Sequence, residues 1–284
     1  MSERYGLAIG NVLHATDFGA GSTVAFAHAL RLACATKSSL SILHVEREED
    51  RRPDWSSFPA VRDTLARWGL LPAHAARSDV AALGVRIGKA SVADPDPAAG
   101  VLGFLHEHPA DLLVLATHPR HGLDRWLHQT TAGRINAGSD GATLFLPVGT
   151  PGFVSDDTGE VRLRNILVPI DFEPDPEPAI EVVCDIVAAL DVPECHVHLL
   201  HVGNPSDSPG VSLPGSANVQ YHWHTTTGSV VSAILQQARQ VHADLLAMTT
   251  AGRHGLLDAL RGSTTEQILQ HAECPVLAVH EWLD

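Results

Sequence analysis

Short apolar runs alternate along this chain with stretches whose apolar residues recur at helical spacing. Residues 11–15 form a brief apolar strand, and Ser22 is placed to cap a helix reaching about Ala35. Residues 39–45 alternate and then become wholly apolar, as a buried strand does. A charged stretch, 46–54, precedes helical spacing around 58–68 and 72–80. A strand at 85–87, a helix at 96–108, a strand at 111–116, a helix at about 130–136 and a strand at 143–148 follow. The order then starts again, with strands at 165–170, 196–202, 219–223, 245–249 and 275–279 and helices opening near Pro178, Ser229 and Ser263. Strands separated by helices form parallel sheets covered on both faces, because a parallel crossover needs a connection of helix length.

The two series are copies of each other. Asn-Val-Leu-His-Ala-Thr-Asp-Phe at 11–18 matches Asn-Ile-Leu-Val-Pro-Ile-Asp-Phe at 165–172, and Ala-Asp-Leu-Leu recurs at 110–113 and 243–246. The offset is 154 residues at the first strand (11 to 165) but 133 at the fourth (111 to 244), so the second copy has lost 21 residues between its second and third strands. Helices occupy that interval in the first copy, and a Pro/Gly/Ser-rich loop, 203–217, in the second. The expected fold is α/β: two tandem Rossmann-like domains, 1–150 and 160–284, each a doubly wound, five-stranded parallel sheet. The linker is the Gly/Ser/Asp-rich stretch 149–163. Ligands of such sheets sit outside the carboxyl ends of the strands, where strand order reverses. Attention therefore falls on Asp17 and Asp171, the ends of the second and fourth strands, and the helix after the fourth.

Composition narrows the partners. A formal net charge of −14 with two lysines, Lys37 and Lys89, argues against nucleic acid or an anionic membrane. No Gly-Lys-Ser/Thr is present, so a Walker-type phosphate loop is excluded. The opening residues hold no signal-peptide core, and no apolar run approaches the roughly 20 residues of a membrane span. The four cysteines, Cys34, Cys184, Cys195 and Cys274, show no paired spacing and read as buried thiols of a reducing compartment. A cytoplasmic location is expected.

Chemistry concentrates after the fourth strand of the second copy. Gly252 lies just past the strand end, where a side chain would keep backbone amides from an anion. Gly262-Ser263-Thr264 then opens a helix whose unpaired N–H groups and dipole favour phosphate. On these residues the chain resembles the universal stress protein superfamily. That family's nucleotide signature is Gly, two residues, Gly, nine residues, then Gly-Ser/Thr. The second copy matches from Gly252 to Gly262-Ser263, with Thr249 in place of the first glycine. The resemblance extends over essentially the whole chain as a tandem pair. It implies a stress-response regulator binding ATP or a related adenine nucleotide, with Asp171 contacting the nucleoside and Val202 beside the base. The first copy has Ala116, Pro119 and Gln129-Thr130 at the signature positions, so nucleotide is expected in the second copy alone. Ser263 and Glu266 also form a capping box, which serves the helix with no ligand present. Three carboxylates, Glu173, Asp175 and Glu177, follow Asp171 and oppose a polyphosphate.

No nucleophile, base or metal constellation emerges, so no catalytic residue is assigned; slow hydrolysis of bound ATP is compatible with that reading. The alternative is a zinc-binding or ligand-free scaffolding protein of the same fold. Of 18 histidines, His201, His222, His224 and His254 are expected at the carboxyl edge of the second sheet, where neutral imidazoles are able to take Zn²⁺. The resemblance further implies an intramolecular pseudo-dimer, pairing the last strands of the two copies. A homodimer of such chains and an unidentified regulatory protein are further expected partners.

Overall fold

The structure, a computed structural model, describes residues 9–46, 55–117, 135, 141–250 and 264–281. The first half contributes strands β1 (Asn11–Ala15), β2 (Ser39–Glu46), β3 (Arg86–Ala93), β4 (Leu112–Thr117) and β5 (Ala142–Pro147). Its helices are α1 (Ala20–Thr36), α2 (Val61–Arg67), α3 (Arg77–Ala82) and α4 (Pro97–Glu107). The second half contributes strands β6 (Asn165–Ile170), β7 (Cys195–Val202), β8 (Val219–Thr226), β9 (Leu245–Thr250) and β10 (Val276–His280). Its helices are α5 (Glu177–Ala189), α6 (Val230–Gln240) and α7 (Thr264–His271).

All these strands join one sheet in the order β3-β2-β1-β4-β5-β10-β9-β6-β7-β8. Pairing is parallel within each half, and the halves meet where β5 runs antiparallel to β10, with Leu144 opposite Leu277. Every residue of β5 is buried. Joining the two last strands removes two apolar edges that would otherwise be open to aggregation. The two halves thus fit an intramolecular pseudo-dimer. Leu30, Leu144, Val183 and Leu277 belong to a core on the α1 and α5 side of the sheet. Val101, Phe145, Ile234, Ile268 and Val276 belong to a second core on the α4, α6 and α7 side.

Some boundaries differ from the sequence expectation. β3 is eight residues long rather than the three of 85–87, because it is an edge strand whose residues are largely exposed and lack an apolar signature. Helix α1 begins at Ala20, capped by Gly19, so Ser22 lies inside it and its hydroxyl donates instead to Asp17 Oδ1 at 2.9 Å. The helix expected at 130–136 lies outside the described residues apart from the buried Ile135.

The recurring Ala-Asp-Leu-Leu segments have a structural explanation. Asp111 Oδ2 accepts the amides of Gly10 and Asn11 at 2.9 and 2.8 Å, and Asp244 Oδ2 accepts those of Arg164 and Asn165 at 2.8 and 2.9 Å. Each carboxylate ties the start of one strand to its neighbour, at the end of the sheet remote from the ligand edge. Charge-assisted bonds to two amides predict that Asp244→Ala costs about 2 kcal/mol in denaturant titrations. A change below about 0.5 kcal/mol would contradict the tie.

The linker between the halves is bound down. His28, fully buried on α1, donates from Nδ1 to the carbonyl of Val24, and its Nε2 accepts the amides of both Phe153 and Val154 at 3.0 Å. Gly152 has φ +67°, and a Cβ there would stand 2.3 Å from the ring. Both features of Gly152 exclude a larger residue. From α2, Arg67 and Trp68 donate to the carbonyl of Asp156.

Candidate ligand cavity at the switch point of the second half

Strand order reverses between β6 and β9, and a cavity of about 170 Å³ opens there. Asp171 reaches it from the end of β6, Val202 from the end of β7, and Thr264 from the first turn of α7. Leu200, Ile234 and Met248 supply apolar wall, and Glu173 and Thr249 supply polar wall. Three of the six residues expected to bind nucleotide therefore line one cavity, although they come from segments up to 93 residues apart. The other three, Gly252, Gly262 and Ser263, lie outside the described residues.

The polar groups of the cavity are unequal. Asp171 is exposed, and its Oδ1 accepts the amide of its neighbour Phe172 at 2.9 Å. Asp175 Oδ1 accepts the amide of Glu177 at the start of α5, and Glu177 Oε1 accepts the amide of Ser212 at 2.8 Å. Two of the three carboxylates that sequence alone places against a phosphate are thus committed to holding a helix start and the 203–217 loop. Glu173 remains with Asp171 on the cavity wall. Thr249 is 7% exposed, and its hydroxyl oxygen is buried without a hydrogen-bond partner.

The first half differs at its carboxyl edge. Phe18, the counterpart of Phe172, packs within 4.4 Å of His44, 5.0 Å of Trp55 and 5.8 Å of Phe58, ring centre to ring centre. Trp55 and Phe58 belong to the interval that the second half has lost. Phe172 is accordingly 62% exposed.

The histidines do not assemble as the zinc reading expects. His201 is buried, and its Nδ1 points to the carbonyl of Ile170 at 3.4 Å. His44 makes the same contact with the carbonyl of Thr16 at 2.8 Å, so this position ties the second strand to the end of the first in both halves. Side chains alternate along a strand, which sets His201 on the α5 side and Leu200 on the α6 side. His224, opposite Leu200 in register, and His222 share the α6 side, so the zinc candidates are split between two faces. Both are engaged there. His222 Nε2 lies 3.0 Å from His196 Nδ1, and His224 Nε2 lies 3.0 Å from His198 Nδ1. Burial, with smaller contributions from His224, His222 and His196, lowers the His198 pKa to about 4. Among the described residues no group of three or more His, Cys, Asp or Glu side chains is placed to hold a metal ion. His254 lies outside them. Sequence reasoning missed His196 and His198, although His-x-His on two neighbouring strands is a readable pattern.

None of the four cysteines is in a disulfide, and burial raises the Cys195 and Cys274 thiols to about 12, which keeps them protonated and unreactive. Among the described residues no helix is long and apolar enough to cross a membrane.

Comparison with known proteins agrees with this arrangement. The sequence model of the universal stress protein family matches residues 8–140 and 215–280. The chain is 26% identical over 141 residues to universal stress protein A homolog 1 of Coxiella burnetii, covering 42% of this chain and 97% of that protein. It is 38% identical over 61 residues to a universal stress protein of Methanocaldococcus jannaschii, a match covering 22% of this chain and 36% of the relative's length. Among solved structures, a universal stress protein from Archaeoglobus fulgidus is 16% identical with a TM-score of 0.61, covering 96% of this chain and 98% of its own. At that identity the likeness speaks for the fold.

Proposed function

This chain belongs to the universal stress protein family, and from that premise we propose that it is a non-catalytic stress-response regulator binding one adenine nucleotide, in its second half. The observation that supports the reading best is the convergence of Asp171, Val202 and Thr264 on one cavity at the strand-order switch point. Gly252, Gly262 and Ser263 complete the proposed site as its phosphate-binding loop and helix start. Residues 1–150 and 160–284 are proposed as the two units. The first is assigned a structural role, since its signature glycines are replaced, Pro119 lacks an amide, and aromatic side chains cover part of its carboxyl edge.

Stoichiometry tests this directly. Calorimetric titration of the full chain with AMP and with ATP is expected to give one site per chain, abolished by Gly252→Asp. No heat with either ligand would remove the nucleotide reading, and two sites per chain would remove the restriction to the second half.

A further inference from the structure

We propose that β8 is an interaction edge: it pairs antiparallel with β8 of a second copy of this chain, closing a two-fold dimer through one continuous sheet. The inference is independent of the nucleotide reading. β8 ends the sheet, with β7 on one side and no strand on the other. On the β7 side, the carbonyls of Asn218 and Thr226 accept the amides of Cys195 and Gly203. Within a strand the N–H and C=O of one residue point the same way, and the direction alternates along the chain. Tyr221, Trp223 and Thr225 therefore turn theirs outward. Among the described residues no backbone hydrogen bond meets these outward groups. Trp223, in the middle of that row, is 50% exposed.

The opposite edge shows what blocks such pairing. β3 carries Arg86 and Lys89. Lys89 lies opposite Ile42, two residues before His44, and Trp223 lies opposite Leu199, two residues before His201, so both occupy one position of the duplicated fold. Lys89 puts a charge on its edge and holds Nζ 4.8 Å from the centre of the Trp55 ring in its own half. β8 contains no Asp, Glu, Lys, Arg or Pro, the residues by which edge strands avoid pairing. A charged edge facing its own copy sets like charges together. On a chain of net charge −14, the uncharged β8 is the edge at which two copies can meet. Outward residues must face outward residues across the seam. A register with His222 on the two-fold axis achieves this and sets Tyr221 against Trp223 of the second copy, twice, as an aromatic cross-strand pair. Eight residues give a seam about 26 Å long. Such a seam buries on the order of 1,000 Å², the lower limit for specific association, so the dimer is a weak one.

Sedimentation velocity of the full chain, from about 1 to about 300 μM, is expected to show monomer passing to dimer with a Kd on the order of 10–100 μM. Trp223→Lys gives this edge the charge that β3 carries at the same position, and is expected to weaken the dimer at least about tenfold. Thermal melts of each variant establish that it is folded. Facing residues of a non-hydrogen-bonded antiparallel pair lie within disulfide reach. Mild oxidation is therefore expected to link two chains of His222→Cys and to leave Gln220→Cys and the unaltered chain unlinked. Monomer at every concentration overturns the proposal. So does a dimer indifferent to Trp223→Lys, growth beyond the dimer into open polymers, or linkage at 222 no better than at 220.

Discussion

Protonation of two buried histidines is expected to remove about 5 kcal/mol of folding stability as the pH is lowered from 7 to about 4.5. His14 and His28 are 0% exposed, and burial lowers the pKa of each to about 4. The unfolded chain titrates these imidazoles near 6.5, so between pH 6.5 and 4 the unfolded state binds more protons than the folded one. Stability is therefore full above pH 6.5 and is lost as pH falls toward 4. Each ring contributes about 2.5 kcal/mol at pH 4.5, a large share of the roughly 5–15 kcal/mol that holds a domain together. Geometry explains why neither ring escapes. His28 Nε2 faces two backbone N–H donors, so a proton there has no acceptor and the linker at Phe153 and Val154 must let go. His14 Nδ1 contacts the carbonyl of Val114, and its Nε2 is buried without a partner. Urea titrations at stepped pH read the slope. The second copy carries Val168 at the position of His14, so His14→Val is expected to remove about half of the acid sensitivity. An unfolding free energy flat from pH 7 to 4.5 would refute the assignment.

The second large effect is expected at the seam between the halves. Leu144 and Leu277 are both 0% exposed, lie opposite each other across the antiparallel β5–β10 pair, and share the core on the α1 and α5 side. Truncating either to alanine is expected to cost about 3 kcal/mol, from lost burial and from the cavity left behind. Because each fills space next to the other, the double substitution is expected to deviate from additivity by about 1 kcal/mol. The continuous core predicts that both halves unfold together. Circular dichroism and tryptophan fluorescence should trace one transition in the wild type and in each variant. Two separated transitions in the wild type would show that the seam joins halves that are stable without it.

Much of the architecture was legible because it is written twice. The matched Asn-to-Phe segments located β1 and β6, the Ala-Asp-Leu-Leu segments located β4 and β9, and the 21-residue offset located the interval where α2 and α3 replace a loop. Edge strands were read poorly. β3 carries Arg86, Lys89 and Ser91 in an exposed alternation, and β8 carries an exposed Trp223, so neither shows the apolar run that marks a central strand. Ser22 misled for a local reason: it has the chemistry of a helix cap, but Asp17 draws its hydroxyl back toward the preceding turn.

At the candidate site the residue types were readable and their partnerships were not. Strand ends and a helix start directed attention to the positions of Asp171, Val202 and Thr264, and the family resemblance supplied the roles expected of Asp171 and Val202. Asp175 and Glu177 looked like obstacles to a phosphate until the fold committed them to α5 and the 203–217 loop. His201, His222 and His224 looked like one cluster until strand alternation divided them between two faces.

By itself the sequence determined the duplication, the layer order of each copy and the asymmetry of their loops, since these depend on local periodicity and on residues compared at fixed offsets. Tertiary structure alone decided that His28 clamps the linker, that the two Ala-Asp-Leu-Leu carboxylates staple strand starts, and that Thr249 keeps a buried hydroxyl without a partner. Those facts depend on which groups meet across 79 or more residues, or on whether any group meets them at all. A hydrogen bond or a vacancy for one is a property of three-dimensional neighbours, and no pattern along the chain encodes it directly.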